Sequence, residues 1–176
     1  MRRIYLIGYM GSGKTTLGKA FARAVNLQFI DLDWYIEERM HKTVRELFAE
    51  RGENGFREVE RNMLHEVGEF ENVVVAAGGG TPCFFDNMAY MNHTGDTVFL
   101  NASVEALFRR LKVAKAKRPL LADKTDEELM ETIRSGLANR MAFYSQAKHS
   151  FPSDRLESRN QISESVEQLK ELLSIS

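Results

Sequence analysis

Cysteine is almost missing from this chain, because Cys83 is the one thiol among 176 residues. A single thiol excludes an intrachain disulfide, and it excludes a metal cage built from several thiolates. Small secreted domains that depend on disulfides are therefore excluded as a class. The scarcity of cysteine favours a reducing compartment, and we expect a cytoplasmic protein.

An excess of charge of one sign is missing too. The chain has 24 lysine and arginine residues against 25 aspartate and glutamate residues, so its formal net charge is -1. No global field then draws the protein to nucleic acid or to an anionic membrane surface. We expect neither as a partner, and any charge that matters must act locally.

Long hydrophobic runs are the third absence. The apolar stretches at 4–7 and 73–77 are short, whereas crossing a bilayer takes about 20 apolar residues. The first stretch follows Arg2 and Arg3 as the core of a signal peptide would, but it ends after four residues. We predict neither a membrane segment nor a signal peptide.

The pattern that is present is an alternation of β-rich runs with segments of helical period. The runs lie at 4–7, 29–30, 73–77 and 97–100, and a fifth strand is best placed at 148–151. Parallel strands joined by helical crossovers form a sheet covered on both faces. We predict an α/β protein with a three-layer α/β/α architecture, folded as a single domain over 1–176.

Several helix boundaries carry chemical signals. Thr43 with Glu46 and Thr125 with Glu128 match capping boxes, and Gly52 is expected to stop a helix. A further helix is expected to start near Pro82.

Residues 8–15 have the sequence GYMGSGKT, which matches the phosphate-binding loop of nucleotide-binding proteins. The motif lies directly after a predicted strand and before a predicted helix, as that loop requires. Its backbone N–H groups and the helix N-terminus would hold phosphates, Lys14 would reach the β- and γ-phosphates, and the Thr15 hydroxyl would bind Mg²⁺. The predicted ATP-binding residues of this segment are Gly11, Ser12, Gly13, Lys14, Thr15 and Thr16.

Two acids, Asp31 and Asp33, follow the second predicted strand, where ligands bind in open α/β sheets. Strand alternation would place both carboxylates on the same side. One can hold Mg²⁺ through water, and the other can accept a proton from an attacking hydroxyl. The strand at 73–77 lacks the terminal aspartate that often binds the metal, so Asp31 is the expected supplier.

Three glycines, Gly78, Gly79 and Gly80, follow that strand, so backbone can approach a substrate closely there. Six basic residues and no acid lie between Arg109 and Arg118. A basic segment beside a nucleotide site is typical of a lid that closes over the phosphates and supplies an arginine. We place this lid at about 110–124.

In this order and spacing, the motifs resemble the shikimate kinase family. The resemblance rests on the phosphate-binding loop, on FIDLD at 29–33, on FRxxE at 56–60, on the glycines at 78–80 and on RPLL at 118–121, and it extends to Arg140 with Tyr144. It implies a five-stranded parallel sheet of order 2-3-1-4-5. It also implies transfer of the ATP γ-phosphoryl group to the 3-hydroxyl of shikimate, with Mg²⁺, in aromatic amino acid biosynthesis, and we expect a monomer.

The resemblance also implies roles for single residues. Asp33 would hold the ring hydroxyls and be the base, Arg57 and Arg140 would clamp the shikimate carboxylate, and Gly79 or Gly80 would touch the ring. Phe48 and Phe56 would wall the pocket, which is formed by helices within about 33–62. Arg118 would be the catalytic lid arginine and Arg110 would lie against the nucleotide, although Arg109 stays open for that place. The usual pattern of adenine contacts is hard to find at 153–159.

Two alternatives are considered, one a related enzyme and the other a protein of a different class. Another small-alcohol kinase, such as a gluconate kinase, would share the loop but should differ in the two arginines and in FR at 56–57. A nucleotide-dependent switch is disfavoured, because no D-x-x-G sequence occurs and Asp123 replaces the first residue of the guanine-binding N-K-x-D pattern.

Overall fold

A computed structural model of the chain describes residues 1–115 and 123–176. In this part of the chain a parallel sheet has the strand order β2-β3-β1-β4-β5, which confirms the predicted order 2-3-1-4-5. The strands are β1 (Arg3–Ile7), β2 (Gln28–Asp31), β3 (Val73–Ala76), β4 (Asp96–Asn101) and β5 (His149–Pro152). The fifth strand, which the sequence placed at 148–151, is shifted by one residue.

Helices connect the strands and cover both faces of the sheet. They are α1 (Lys14–Ala24), α2 (Leu32–Met40), α3 (Val44–Val67), α4 (Asn87–Thr94), α5 (Val104–Ala114), α6 (Asp126–Tyr144) and α7 (Arg159–Leu172). The alternation of β1 shows the two faces directly, because Tyr5 and Ile7 belong to one buried cluster whereas Ile4 and Leu6 belong to another. The three-layer α/β/α architecture is confirmed.

The parallel register brings all the functional loops to one edge of the sheet. Leu6 of β1 pairs with Ala76 of β3, and Asp31 of β2 pairs with the same Ala76. The phosphate-binding loop, the acidic pair and the three glycines each follow the carboxyl end of one of these strands. Ligands bind at this edge in open α/β sheets.

Two local expectations need correction, and a third is met only in part. Asp33 does not extend β2, because α2 begins at Leu32 and places Asp33 in its first turn. Near Pro82 there is only a short 3-10 turn (Thr81–Cys83), and α4 begins at Asn87. Gly52 has non-helical backbone angles (φ 70°, ψ 178°) and so ends one helical segment as expected, but a second segment follows directly across a kink, and α3 comprises both.

The predicted lid overlaps a regular helix at its start. Residues 110–114 form the last turns of α5, and Leu111 in that stretch is buried. Arg118, the predicted lid arginine, lies outside the described residues. Among the helices of residues 1–115 and 123–176, none combines the length and apolar character that crossing a membrane would need.

The capping box of α3 gives a test of the fold. The Thr43 hydroxyl accepts a hydrogen bond from the Glu46 N–H at 3.1 Å, and the Glu46 carboxylate accepts one from the Thr43 N–H at 3.3 Å. Thr43→Ala should lower the free energy of unfolding by about 1 kcal/mol. The melting temperature should fall by about 2–4 °C, since the chain is of intermediate size. Thr43→Ser keeps the cap and should melt with the parent; equal melting of the alanine variant would contradict the cap.

Candidate active site

A cavity of about 770 Å³ opens at the carboxyl edge of the sheet, over β1, β2 and β3. Nearly all the predicted site residues line it. They are Gly11, Gly13, Lys14, Thr15, Thr16, Asp31, Asp33, Phe48, Phe56, Arg57, Gly79, Gly80, Arg110 and Arg140. Ser12 is buried beneath the loop, and Arg118 lies outside the described residues. The structure therefore brings together residues that are up to 129 positions apart, from Gly11 to Arg140.

The N-terminus of α1 faces this cavity without a side-chain cap. Gly13 occupies the N-cap in the left-handed conformation (φ 101°), and the first turn contains no acid. By contrast, α2, α3, α5, α6 and α7 are each capped by the side chain of an aspartate, serine or threonine. Uncapped N–H groups and the positive end of the helix dipole favour binding of an anion such as a phosphate.

Lys14 folds back over the phosphate-binding loop. Its Nζ donates hydrogen bonds to the carbonyl oxygens of Gly8 (2.6 Å) and Tyr9 (3.0 Å). The ammonium is thus already held beside the loop where phosphates would lie. Ser12 fixes the loop from below, since its carbonyl oxygen accepts a hydrogen bond from Ser153 Oγ at 2.7 Å, beyond β5.

Thr15 and Asp31 form an oxygen pair next to the loop. The Thr15 hydroxyl donates to Asp31 Oδ2 at 3.2 Å, and Asp31 Oδ1 accepts a bond from the Trp34 N–H at 3.2 Å, which caps α2. A hydroxyl and a carboxylate are oxygen ligands of the kind that Mg²⁺ binds when substrate phosphates and waters complete its coordination shell. The two residues fit that ion chemically.

Asp33 is an unusual carboxylate. Burial, followed by the negative charges of Asp31, Glu60 and Glu37, raises the pKa of Asp33 to about 6. The positive charge of Lys14 acts in the opposite direction. Removal from water and nearby negative charges both disfavour ionisation. A carboxyl group with this pKa is ionised at neutral pH and is a stronger base than an ordinary aspartate.

Arg57 is fixed from several sides. Its Nη1 donates to Glu60 Oε1 at 2.9 Å, and the Thr81 hydroxyl donates to the other Glu60 oxygen at 2.9 Å. Its guanidinium carbon also lies 4.2 Å from the ring centre of Phe84, and the more distant rings of Phe48 and Phe56 surround it. Its side chain is only 13% exposed and Glu60 only 2%, so little water screens the ion pair.

The three glycines leave room for the charged side chains. A Cβ at Gly80 would lie 2.7 Å from Arg57 Nη2, and a Cβ at Gly79 would lie 3.1 Å from Arg140 Nη1. A Cβ at Gly78 would lie 3.3 Å from Asp33 Oδ1. Two guanidinium groups and two carboxylates, those of Asp33 and Glu60, therefore converge on a single stretch of backbone.

Arg140 lies between two tyrosines. Its guanidinium carbon is 5.4 Å from the ring centre of Tyr9, and Tyr144 follows it by one turn of α6. The Tyr144 hydroxyl donates to the Gly79 carbonyl oxygen at 2.6 Å, and burial raises the pKa of Tyr144 to about 12. Tyr144 therefore remains a neutral donor that ties α6 to the glycine loop.

The two candidate arginines of α5 differ in what they contact. Arg110 donates to the carbonyl oxygens of Gly11 (3.1 Å) and Ser153 (2.7 Å) and lines the cavity. The Arg109 side chain is 59% exposed and lies 3.7 Å from a Glu157 carboxylate oxygen. Arg110 is thus the arginine that faces the phosphate-binding loop.

Sequence reasoning missed several lining residues, namely Met10, Trp34, Val44, Leu156 and Glu157. Leu156 contacts the loop closely, since a Cβ at Gly13 would lie 2.4 Å from its Cδ1. Its segment has no motif of its own. One signal was available, because the segment follows a strand whose carboxyl end lies at the same edge of the sheet.

Comparison with known proteins gives one family. The family model described as shikimate kinase matches residues 10–170. A shikimate kinase of Phocaeicola vulgatus is 67% identical over 174 residues, which cover 99% of this chain and 99% of that protein.

Solved structures agree with that match. A shikimate kinase from Bacteroides thetaiotaomicron superposes with a TM-score of 0.96 at 64% identity, covering 99% of both chains. A shikimate kinase from Acinetobacter baumannii, solved in complex with shikimate, has a TM-score of 0.84 at 30% identity, covering 99% of this chain and 94% of that one.

A gluconokinase from Sinorhizobium meliloti reaches a TM-score of only 0.58 at 18% identity, covering 98% of this chain and 95% of that one, which shows a shared fold alone. The resemblance noted in the sequence is confirmed by the family match and by the relatives that cover nearly the whole chain. The chain belongs to the shikimate kinase family.

Proposed function

We propose that this protein transfers the γ-phosphoryl group of ATP to the 3-hydroxyl of shikimate, giving shikimate 3-phosphate and ADP in chorismate and aromatic amino acid biosynthesis. One observation carries the acceptor side: Arg57 and Arg140 converge on Gly79 and Gly80 in the same cavity as the phosphate-binding loop. Two guanidinium groups form a site for one carboxylate, because each can donate paired hydrogen bonds.

On the donor side, the N-terminus of α1 and the backbone of residues 11–13 hold the ATP phosphates. Lys14 exchanges its carbonyl partners for the β- and γ-phosphate oxygens and stabilises charge that develops during transfer. Arg110 lies on the carbonyl oxygen of Gly11 and supports the same loop. Thr16 stands exposed in the first turn of the helix, beside the phosphates.

Magnesium is the proposed metal, and Thr15 and Asp31 would hold it. When bound, Mg²⁺ neutralises charge on the ATP phosphates. The hydrogen bond from Thr15 to Asp31 keeps both oxygens on the same side of the cavity. The bond from the Trp34 N–H fixes the carboxylate of Asp31 at the N-terminus of α2.

On the acceptor side, Asp33 accepts the proton of the attacking hydroxyl. Its position in the first turn of α2 places it beside Gly78, within the cavity and near Lys14. Phe48 and Phe56, whose rings meet at 4.5 Å between centroids, form an apolar wall against which a carbon ring can pack. The site thus offers an anion clamp, an apolar wall and a base.

Gluconate also carries a carboxylate, so the two arginines by themselves do not separate it from shikimate. Membership of the shikimate kinase family and the apolar wall of Phe48 and Phe56 both favour shikimate, since a carbon ring can pack against such a wall. We also propose that the protein is a monomer, which light scattering would test. We also propose that the protein works in the cytoplasm, where its co-substrate ATP is supplied.

Lys14→Ala should abolish turnover while the protein still folds, because the lost charge removes several kcal/mol of transition-state stabilisation. A coupled ADP-release assay measures the turnover, and circular dichroism checks the fold. Lys19→Ala, on the outer side of the same helix, is the matched control and should keep parental turnover. Near-parental turnover of a folded Lys14→Ala variant would overturn the assignment of the loop.

The raised pKa of Asp33 predicts a pH dependence. A base must be deprotonated, so kcat/KM for shikimate should be constant above the pKa of about 6 and should fall as the pH is lowered through it. Below it, the loss should approach tenfold per pH unit. Asp33→Asn should lose most turnover at every pH and should lack this acidic limb, with ATP affinity little changed. A parental profile flat from pH 5 to pH 8 would exclude Asp33 as the base.

The arginine clamp predicts a dependence on the acceptor carboxylate. Arg140→Ala should raise KM for shikimate by a factor of tens to thousands, since truncating one partner of a buried charge pair costs about 2–5 kcal/mol. KM for ATP should hardly move. Arg57→Lys should show the same pattern, and it keeps a cation beside Glu60 so that the fold is preserved.

A carboxylate-free analogue of shikimate supplies the comparison. It should be a poor acceptor for the parent enzyme and should lose little further from either substitution. Arg61→Ala, one turn beyond Arg57 on the same helix, is the matched control and should behave like the parent. Equal losses for acceptors with and without the carboxylate would show that the arginines serve the fold or the phosphates.

A further inference from the structure

Tyr9 occupies an unusual position, between the phosphate-binding loop and helix α6. It is the second residue of the loop, and its side chain is only 6% exposed. The proposed phosphoryl transfer makes no use of its ring. The ring nevertheless contacts the helix that carries Arg140, and its contacts follow one face of that helix.

Three residues of α6 at four-residue spacing meet the Tyr9 ring. The hydroxyl donates to the carbonyl oxygen of Thr132 at 3.4 Å, and the guanidinium carbon of Arg140 lies 5.4 Å from the ring centre. Between them is Gly136, where a Cβ would lie 2.6 Å from both Cε1 and the hydroxyl oxygen of Tyr9. The ring therefore occupies the space that a side chain at 136 would need.

Gly136 is informative because it stands in the interior of a helix. Apart from proline, glycine is the least favourable residue there. Its place is explained by the ring, which packs onto the bare backbone one turn before Arg140. Tyr9 and Gly136 thus form a matched pair that sets how closely α6 approaches the loop.

The backbone and the side chain of Tyr9 serve different parts of the site. The carbonyl oxygen accepts hydrogen bonds from Lys14 Nζ and from the Ser12 N–H, both at 3.0 Å. The ring instead contacts Arg140. A substitution that changes only the side chain should therefore affect the acceptor and leave the nucleotide nearly untouched.

We propose that Tyr9 is a positioning residue for Arg140: its ring, seated on Gly136, aims the guanidinium at the acceptor carboxylate. The proposal rests on the proposed function, since it assigns Tyr9 to the same anion clamp. The face of an aromatic ring attracts a guanidinium electrostatically, and the attraction is stronger where water is excluded.

The experiment compares Tyr9→Leu with Tyr9→Phe. Tyr9→Leu removes the ring and should raise KM for shikimate by about 5- to 30-fold, with kcat and KM for ATP changed less than about twofold. Tyr9→Phe keeps the ring and loses only the long hydrogen bond to Thr132, so it should have the parental KM for shikimate. Calorimetric titration with shikimate should show the same order of affinities.

Tyr5→Leu is the matched control for loss of a buried tyrosine. Tyr5 is fully buried in the middle of β1, the strand that precedes the loop, and its hydroxyl bonds the Thr94 hydroxyl at 2.8 Å. This variant should melt at a lower temperature and keep the parental KM for shikimate. A rise in KM equal to that of Tyr9→Leu would make the effect one of general stability and would overturn the proposal.

Two further variants test the link to Arg140. Gly136→Ala should displace the ring and raise KM for shikimate as Tyr9→Leu does; unchanged KM would contradict the pairing. In an Arg140→Ala background, Tyr9→Leu should cause no further rise, because nothing is left to position. A full additional effect would overturn the proposal.

Failure of the proposed function gives a different result. If the parent protein does not phosphorylate shikimate at all, the proposed function is wrong. If the parent does so and Tyr9→Leu has the parental KM for shikimate, only the role of Tyr9 is wrong.

Discussion

The close approach of charged side chains to the backbone after β3 is the constraint on which the rest of the site depends. Each of the three glycines at 78–80 leaves a space that a different charged group fills: Asp33 at the first, Arg140 at the second and Arg57 at the third. These groups come from α2, α6 and α3, which the sheet alone would not bring together. A methyl group at Gly80 would already lie 2.7 Å from a guanidinium nitrogen.

This convergence has an electrostatic consequence. Asp33, Asp31 and Glu60 lie near one another, and their repulsion together with burial raises the pKa of Asp33 to about 6. Arg57 offsets part of that charge through its ion pair with Glu60. The arrangement works against stability, because a pKa of about 6 means that ionising Asp33 costs more in the folded than in the unfolded chain, and this cost is complete above about pH 6. It also supplies what phosphoryl transfer to an alcohol needs, a base near neutrality beside cations that hold two anionic substrates.

The phosphate-binding loop serves both substrates because of its place in the sheet. It follows β1, the central strand, and so lies between the elements after β3 and those after β4 and β5. Toward β5 it is fixed by Ser153 and Arg110, which bond its carbonyl oxygens. Toward α6 it presents the ring of Tyr9 to Arg140. The donor and acceptor halves of the cavity therefore share one rigid loop.

The sequence by itself determined the parallel α/β class, the family and most of the lining residues, because these depend on local patterns, and the strand order followed from the family resemblance. The role of Lys14 follows from a contiguous loop motif, and the alternation of strands and helices predicts a parallel sheet whose strands have their carboxyl ends at one edge.

Tertiary structure decided what has no local signature. The contact of Tyr9 with Arg140 joins residues 131 positions apart. The raised pKa of Asp33 depends on burial, and the strand alternation used to orient that residue was wrong because α2 begins at Leu32. Periodicity specifies which elements form, whereas desolvation and contacts between distant elements arise only when those elements pack.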